Sequence, residues 1–318
     1  MAAGVESDNA GFVRMAALEE GFDLVGIAPA KRLDEESVRL REWLSRGYHA
    51  TMVWMTNNFD KRTDPARILE GASSVVSLAK NYYVPVEHVK SAVKISRYAW
   101  GDDYHVVIDG MLKDLVAKLS EKFPGNRFMY YCDTGPVMDK AWAEKAGVGW
   151  IGKHTNVINQ ETGSWIFLSE IITDLACEYD AGAVDHCGDC RACIDACPTQ
   201  AIVEPYVLDA NRCISFLTIE NRDDSIPGDL VPKLENWVFG CDICQDVCPW
   251  NVRFHKSTDE PAFSPREKNL NLKAEDIHLM TREDFSEMFR RSPVKRAKYE
   301  GLRRNANALA VSKGTRGK

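Results

Sequence analysis

Ten cysteines are present in this 318-residue chain, and eight of them lie between residues 187 and 248. The first four stand in the string CGDCRACIDACP, as Cys187, Cys190, Cys193 and Cys197. This C-x₂-C-x₂-C-x₃-C-P spacing is that of bacterial ferredoxins with two 4Fe–4S clusters, in which the fourth cysteine binds the other cluster. Thiolates are soft, anionic ligands that suit iron. The run therefore predicts electron transfer through iron–sulfur clusters.

A second run, VFGCDICQDVCP, supplies three more cysteines, but Val238 occupies the place of a fourth. Cys213 is the one cysteine between the two runs, and we assign it as the replacement ligand. Two sets of four then result, which we call set one (Cys187, Cys190, Cys193, Cys248) and set two (Cys197, Cys213, Cys241, Cys244). The alternative is structural zinc, which uses paired C-x₂-C knuckles rather than a series of three cysteines.

Composition is that of an ordinary globular protein, with 45% apolar and 27% charged residues and a mean hydropathy of −0.31. The N-terminal residues show no apolar signal-peptide region, and no run approaches the roughly 18 apolar residues that span a bilayer. Clustered cysteines in such a chain indicate metal rather than disulfides. Cys132 and Cys177, outside the clusters, are expected to be packing residues. We therefore expect a cytoplasmic protein.

Apolar periodicity predicts the elements that must position the cysteines. Helices and strands are mixed up to about residue 180, and they include a strand at Leu24–Ala28. An amphipathic helix is predicted around residues 107–123, with one apolar face formed by Ile108, Leu112, Leu115, Val116 and Leu119. The sequence predicts an α+β fold in three parts: residues 1–180, a cysteine-rich module at 181–258, and a C-terminal segment at 259–318 that ends in a basic helix at about 294–311.

One string, GVGWIG, matches the G-x-G-x-x-G pattern at Gly147, Gly149 and Gly152. A dinucleotide site requires this pattern to follow a strand and to open a helix. Here it follows the predicted helix DKAWAEKA. We expect a loop in which glycines allow close backbone approach, and no nicotinamide site.

The net charge of −7 is distributed unevenly along the chain. Residues 290–318 contain ten lysines and arginines and one acid, which gives this tail a charge of +9. Such asymmetry suggests a basic surface that meets a polyanion. A solvated helix face is the alternative explanation.

Several stretches, including SRYAWGDDYH, CDTGPVMDKAWAEKAGVGWIGKHTNVIN and GSWIFLSEIITDL, mix aromatic, glycine and isolated polar residues, as a pocket for a large flat ligand would. Together with the irregular cysteine set, they resemble the epoxyqueuosine reductases from about residue 12 to about residue 310. The resemblance implies a flavin-free, nitroreductase-like domain at 1–180 that binds cobalamin against a ferredoxin-like module with two 4Fe–4S clusters at 181–258. It implies reduction of the epoxide of epoxyqueuosine, at the wobble position of tRNA, to queuosine.

The resemblance also implies roles for individual residues. Asp133, in CDTGP, would be the general acid, with a pKa raised by burial beneath the corrin. Capping of a turn is the alternative role for this aspartate. Cobalamin would be bound base-off, without a histidine ligand to cobalt, because the nearest D-x-H-x-x-G string has Ile108 in place of glycine. Residues expected near the cofactor are Asn57, Arg97, Asp133, His154, Asn156, Ser215 and Gly240.

Partners follow from the same resemblance. They are the anticodon loop of a tRNA, with Arg222 as a candidate contact, and a cytosolic low-potential electron donor, and the protein is expected to be a monomer. Many family members continue into HEAT-like repeats, and the tail looks like the first, incomplete helix of one. Leu302, Ala306 and Leu309 must then pack on the main body. The alternatives are a cobalamin-dependent reductive dehalogenase and a non-catalytic electron-transfer protein.

Overall fold

The computed structural model describes residues 2–316, with side chains described for residues 4–311. Its strands are β1 (Leu24–Pro29), β2 (Ser74–Asn81), β3 (Lys94–Ile95), β4 (Phe128–Tyr131), β5 (Trp150–Ile151), β6 (Val157–Ile158), β7 (Ile166–Thr173), β8 (Ile202–Glu204), β9 (Val207–Leu208) and β10 (Trp237–Phe239). Its helices are α1 (Ala2–Glu19), α2 (Asp34–Ser45), α3 (Phe59–Thr63), α4 (Tyr104–Lys122), α5 (Asp139–Lys145), α6 (Ala192–Ala196), α7 (Ile214–Ile219), α8 (Ile243–Asp246), α9 (Pro249–Phe254), α10 (Glu267–Asn271), α11 (Ala274–Leu279), α12 (Arg282–Met288) and α13 (Lys298–Arg316).

The main sheet is antiparallel, with the strand order β1-β2-β7-β4. The central strands β2 and β7 are buried along almost their whole length. Val76 and Ile171 face one core, which α1 and α4 cover, whereas Val75 and Ile172 face a second core, which α5 covers. Because both faces are covered, these strands are nearly continuous apolar runs rather than alternating ones.

The predicted strand at Leu24–Ala28 and the predicted amphipathic helix are confirmed as β1 and α4. Helix α4 buries Ile108, Leu112, Leu115 and Leu119 against the sheet. Asp103 caps its N-terminus, since the Asp103 carboxylate accepts the backbone N–H of His105. This cap positions the first turn of α4, which carries Tyr104 and His105.

A further core surrounds the parallel pair β3–β10 and is completed by α7, α11, α12 and α13. Leu302, Ala306 and Leu309 are 1%, 0% and 3% exposed, so the prediction that they pack on the main body is confirmed. Buried Asn305 joins α13 to the core by donating to the carbonyl oxygens of Thr218 and Val238, at 2.8 and 2.9 Å. The helix begins at Lys298 rather than near residue 294, because a 3₁₀ turn at Pro293–Ala297 precedes it and Lys298 has a left-handed φ of 61°.

The cysteine-rich module is built from the short helices α6, α8 and α9 and the hairpin β8–β9. Cys213 and Cys248 are the N-cap residues of α7 and α9, and Cys193 lies within α6. All ten cysteines are free, and Cys132 and Cys177 pack in the core under α1 and α4, as predicted. No described helix combines the length and apolar character that crossing a bilayer requires.

The GVGWIG string forms a loop between α5 and β6, with β5 inside it. Gly147 has a left-handed φ of 74°. A Cβ atom on Gly149 would lie 2.4 Å from the carbonyl oxygen of Ile158, so only glycine allows the two backbones to approach this closely. The predicted close-approach role of these glycines is confirmed.

Candidate active site

A cavity of about 490 Å³ opens where the main sheet faces the cysteine-rich module. Phe167 and Leu168 of β7 line it on the sheet side, together with Tyr104 at the start of α4. All four cysteines of set two line it as well. The cavity thus joins two parts of the chain that the sequence separates.

Cysteines of set one lie elsewhere, because Cys187 and Cys248 pack with Trp150 and Ile158 in a small apolar cluster. Burial and the neighbouring thiols Cys248, Cys187 and Cys190 raise the pKa of Cys193 to about 11. The thiols that most affect Cys193 are therefore the other members of set one.

Thiols of set two are similarly close to one another. Burial raises the pKa of Cys244, and Cys213 and Cys197 raise it further. Within the part of the chain that the structure describes, no three His, Cys, Asp or Glu side chains are close enough to bind a single metal ion. The thiols of set two are near one another, but they are farther apart than the ligands of a site for a single metal ion.

Asp133 lies in the loop after β4, with a left-handed φ of 58°, and 62% of its side chain is accessible. Its Oδ2 atom accepts a hydrogen bond from the hydroxyl of Tyr104 at 2.7 Å and lies 3.2 Å from Nε2 of His105. The other ring nitrogen of His105, Nδ1, lies 2.7 Å from Oδ1 of Asp103. One imidazole therefore bridges two carboxylates at the edge of the cavity.

The charges of this group determine where a proton is held. Burial opposes the charged imidazole, but the bonds to Asp103 and Asp133 outweigh burial and raise the pKa of His105 to about 9. Burial also opposes the charged form of Asp133, yet hydrogen bonds from His105 and Tyr104 and the charges of His105 and Lys140 leave its pKa below the ordinary value. The raised pKa expected of Asp133 beneath a bound corrin stays a prediction; within the chain itself, an imidazolium and a phenol stabilise the carboxylate. At neutral pH the proton is on His105.

A second acidic pair lies deeper, beneath the cavity. Burial, followed by interaction with Asp139, raises the pKa of Glu170 well above its ordinary value. Burial also raises the pKa of Asp139, and the charge of Asp133 adds to this effect. Glu170 is fully buried on β7, whereas Asp139 begins α5 and lines the cavity. Glu170 and Asp139 are thus two neighbouring acids with raised pKa values, one on the sheet and one beside the cavity.

Three of the other expected cofactor contacts line the cavity, namely His154, Asn156 and Ser215. His154 is 4% exposed, and burial and the charge of Lys140 lower its pKa to about 4, so the ring is neutral. Its Nδ1 atom accepts the backbone N–H of Asn156 at 3.2 Å, which leaves the proton on Nε2. That Nε2 atom is buried and has no partner among the described residues.

The remaining expected contacts, Asn57, Arg97 and Gly240, do not line this cavity. Arg97 donates to the carbonyl oxygens of Val84 and Val86, at 3.1 and 2.9 Å, and its guanidinium lies over three aromatic rings. Gly240 has a left-handed φ of 68° and abuts Ser96. Asn57 is exposed and accepts a hydrogen bond from Arg62 through its carbonyl oxygen.

Arg222, the candidate RNA contact, donates to the carbonyl oxygens of Ile219 and Arg296, at 2.8 and 2.9 Å. These bonds connect the end of α7 to the turn that precedes α13. Its guanidinium also lies 3.8 Å from the carboxylate of Glu220. The side chain therefore has a structural role in addition to any contact with a ligand.

Sequence reasoning did not assign a role to Tyr104, His105, Asp139, Lys140 or Glu170. The string DDYH at 102–105 carried a usable signal, because an aspartate two residues before a histidine at a helix start can both cap the helix and bond the ring. Glu170 carried another signal, as an acidic residue inside an apolar strand. Its partner could not be deduced from the sequence.

Two family models match the chain. The model described as "4Fe-4S double cluster binding domain" matches residues 186–251, and the model described as "Epoxyqueuosine reductase QueG, DUF1730" matches residues 62–134. The first range contains all eight cysteines of the two sets, and the second contains Asp103, His105 and Asp133.

Curated relatives are similar over almost the whole chain. The epoxyqueuosine reductase of Cellulophaga algicola is 48% identical over 93% of this chain and 96% of its own length. The enzyme of Leadbetterella byssophila is 50% identical, with 92% and 95% covered, and that of Synechocystis is 47% identical, with 89% and 99% covered.

Solved structures show the same fold. A selenomethionine-labelled epoxyqueuosine reductase superposes with a TM-score of 0.89 at 30% identity, covering 95% of this chain and 81% of that one. The enzyme of Streptococcus thermophilus superposes with a TM-score of 0.86, also at 30% identity, with 96% and 82% covered. With such identity extending over nine-tenths of the chain, this protein belongs to the epoxyqueuosine reductases, a family of oxidoreductases.

Proposed function

We propose that the chain reduces the epoxide of epoxyqueuosine in tRNA to queuosine, with electrons passing through two 4Fe–4S clusters to cobalamin. The observation that carries the proposal is the shared cavity. Asp133 lines the same cavity as the four thiols of set two. His105, which can supply a proton, lies 3.2 Å from Asp133. A relative has been solved with an epoxyqueuosine-modified tRNA stem loop, at a TM-score of 0.88 and 30% identity.

For the electron side, we propose that set one (Cys187, Cys190, Cys193, Cys248) binds cluster one and set two (Cys197, Cys213, Cys241, Cys244) binds cluster two. Support comes from the spacing of the cysteines, from the cavity that set two lines and set one does not, and from the double-cluster match. Set two lines the cavity and set one does not. Cluster two would therefore be the cluster that transfers electrons to a ligand in the cavity. Electrons would enter from a low-potential donor in the cytoplasm.

The cavity residues fit a large cofactor with polar edges. His154 offers a buried Nε2–H with no partner among the described side chains, which is costly unless a ligand accepts it. Asn156 and Ser215 add polar groups beside it, and Lys140 adds a cation. We propose that these four residues bind the edge of cobalamin, which when bound supplies the low-potential reducing centre. Asn57, Arg97 and Gly240 remain predicted contacts.

For the proton side, conversion of an epoxide to an alkene and water consumes two electrons and two protons. At neutral pH His105 holds a proton on Nε2, 3.2 Å from Oδ2 of Asp133. Tyr104 directs its hydroxyl to the same Oδ2 atom and keeps the carboxylate oriented. We propose that Asp133 passes one proton from His105 to the departing oxygen, that solvent supplies the second proton, and that displacement of water by the substrate favours the first transfer.

For the RNA side, the tail offers fewer free cations than its charge of +9 suggests. Arg296 forms a bidentate ion pair with Glu220, and Arg304 donates to the carbonyl oxygens of Leu217, Asn221 and Asp223. Lys295, Lys298 and Arg303 remain exposed. We propose that this exposed group, with Arg222 at its edge, contacts the phosphates of the anticodon stem loop of one tRNA per protein monomer.

The experiment is an anaerobic turnover assay with tRNA from cells that cannot reduce epoxyqueuosine, a low-potential reductant, and protein with and without cobalamin. Nucleosides would be identified by mass spectrometry. We expect queuosine with cobalamin only, and a loss of at least about 100-fold in Asp133→Asn, as for removal of a positioned acid. Iron content and cobalamin absorbance verify that the variant is fully loaded. Absence of queuosine from fully loaded wild-type protein would contradict the proposal.

A further inference from the structure

Lys153 is a buried lysine at the loop that carries the first cysteines of set one. It follows the GVGWIG loop and is 9% exposed. Its ammonium group donates to the carbonyl oxygen of Cys190 at 2.9 Å and to that of Gly188. Both carbonyls belong to the segment between the first two cysteines, so the charge of Lys153 lies directly against this segment.

The charge of Lys153 is not neutralised by an ion pair. No carboxylate of the described residues lies within 4.0 Å of its ammonium nitrogen. Asp185 is close enough for the charge of Lys153 to help lower its pKa, after larger effects of burial and of hydrogen bonds from Tyr206 and Cys187. The Asp185 oxygens accept the backbone N–H of Cys187 at 2.7 Å and the hydroxyl of Tyr206.

A buried cation without a paired anion is unfavourable in a folded protein. Two neutral carbonyl oxygens stabilise an ammonium group only in part. Two cysteines of set one, Cys187 and Cys190, bound the segment that Lys153 contacts, and the set-one thiolates would carry net negative charge when they hold a 4Fe–4S cluster. Burial of Lys153 is therefore explained if the cluster is its counter-charge.

We propose that Lys153 raises the reduction potential of cluster one, the cluster whose cysteines do not line the cavity. Reduction adds one negative charge to the cluster, and a nearby buried cation stabilises the reduced form more than the oxidised form. The inference rests on the proposed function, because it takes set one as the ligands of cluster one. Lys153 is a positioning residue in this role, since it acts on the cluster and does not touch the substrate.

Trp150 also favours a raised reduction potential of cluster one. Its ring is 1% exposed and packs with Cys187 and Cys248, and its Nε1 atom has no partner among the described residues. An indole N–H is only a donor, so a cluster sulfur is the acceptor that this environment offers. Hydrogen bonds to cluster sulfurs also tune the potential.

The test uses the holoenzyme with both clusters and compares Lys153→Gln, Lys153→Arg and Lys145→Gln. Glutamine keeps a donor for the carbonyls but removes the charge, whereas arginine keeps the charge. Lys145 is the matched control, because it is a half-exposed lysine at the end of α5 that pairs with Glu36 at 2.9 Å. Reduced clusters would be quantified by EPR during an anaerobic potentiometric titration. Cluster one is identified as the signal that persists in Cys213→Ala.

We expect Lys153→Gln to lower the ratio of reduced to oxidised cluster one at least tenfold at a fixed potential. This tenfold change corresponds to a reduction potential about 59 mV more negative for a one-electron couple. We expect the ratio in Lys153→Arg and Lys145→Gln to stay within about threefold of wild type. The reduction potential of cluster two should change less than that of cluster one in every variant.

Three outcomes would overturn the inference: an unchanged potential in Lys153→Gln with both clusters intact, an equal shift in Lys153→Arg, or loss of cluster one from both Lys153 variants. The last would show that Lys153 serves only to hold the loop. Failure of the proposed function gives a different result, because wild-type protein would then form no queuosine in the turnover assay, whatever the reduction potential of cluster one.

Discussion

Nε2 of His105 lies 3.2 Å from Oδ2 of Asp133. The opposite ring nitrogen lies 2.7 Å from Asp103, so the imidazole is held between two carboxylates. This contact joins the first turn of α4 to the loop after β4. It gives the exposed Asp133 carboxylate an adjacent proton that is retained up to about pH 9.

The first prediction concerns the pH dependence of activity. Since Asp103 helps raise the pKa of His105, Asp103→Asn should lower it from about 9 toward the ordinary histidine value near 6.5. The protonated form is lost as pH rises through this pKa, so the alkaline limb of kcat/KM should move from about pH 9 to lower pH. The measurement is the pH–rate profile between about pH 6 and 10.

Asp109→Asn is a suitable control for that experiment, because Asp109 is an exposed α4 carboxylate that pairs with Lys113 rather than with His105. The alkaline limb of the kcat/KM profile of Asp109→Asn should match that of wild type. An unshifted limb in Asp103→Asn would show that the His105 proton does not limit turnover.

The second prediction concerns Cys213, which departs from the regular ferredoxin spacing. Cys213→Ala should lose cluster two and keep cluster one, so bound iron should fall from about eight atoms per chain to about four. Iron and sulfide analysis of anaerobically purified protein measures this change. Cys132→Ala is the control, since Cys132 lies in the core under α1 and α4 and should leave the iron content unchanged. Retention of eight iron atoms by Cys213→Ala would exclude it as a ligand.

The third prediction concerns the buried Glu170, whose pKa is raised by burial and by Asp139. A raised pKa in the folded state means that neutral Glu170 stabilises the protein below its ordinary pKa. That contribution is lost as pH rises toward the folded-state pKa. Glu170→Gln is neutral at every pH, so it should gain stability relative to wild type as pH increases, by up to about 1.4 kcal/mol per pH unit.

Thermal unfolding midpoints, measured anaerobically at several pH values from about 5 to 8, would reveal this widening difference. Glu35→Gln removes an exposed helix carboxylate and should stay within about 0.5 kcal/mol of wild type. A constant difference between Glu170→Gln and wild type across that range would contradict a raised pKa of Glu170 in the folded protein.

The fourth prediction concerns the tail helix α13 as part of the folded body. Leu302→Ala removes a side chain that is 1% exposed, so it should lower the free energy of unfolding by about 2–5 kcal/mol. Leu279→Ala, at a leucine that is 84% exposed, should have little effect. Thermal unfolding compares the two variants. Equal midpoints would mean that α13 does not contribute to the cooperative core.

Much of the fold could be predicted from local sequence. The apolar face of α4 and the strand β1 follow from spacing within a few residues, because side-chain direction repeats with the helix or strand period. The glycine loop at 147–152 was also predictable, since an isolated helix followed by glycines excludes a dinucleotide site. The expected start of the tail helix was early because a proline turn at Pro293–Ala297 precedes it.

The sequence by itself determined the cysteine spacing, the expectation of two iron–sulfur clusters and the candidate acid Asp133, since each depends on residue types a few positions apart. Only the tertiary structure showed that His105 bridges Asp103 and Asp133, that Glu170 faces Asp139, and that Lys153 lies against the Gly188–Cys190 segment. These contacts join residues that are about 30 positions apart along the chain, apart from the local bond between Asp103 and His105. They also place His105 and Tyr104 beside Asp133, where they act to lower its pKa, because a pKa depends on which charges the folded chain brings within a few ångströms and not on which residues are its neighbours in sequence.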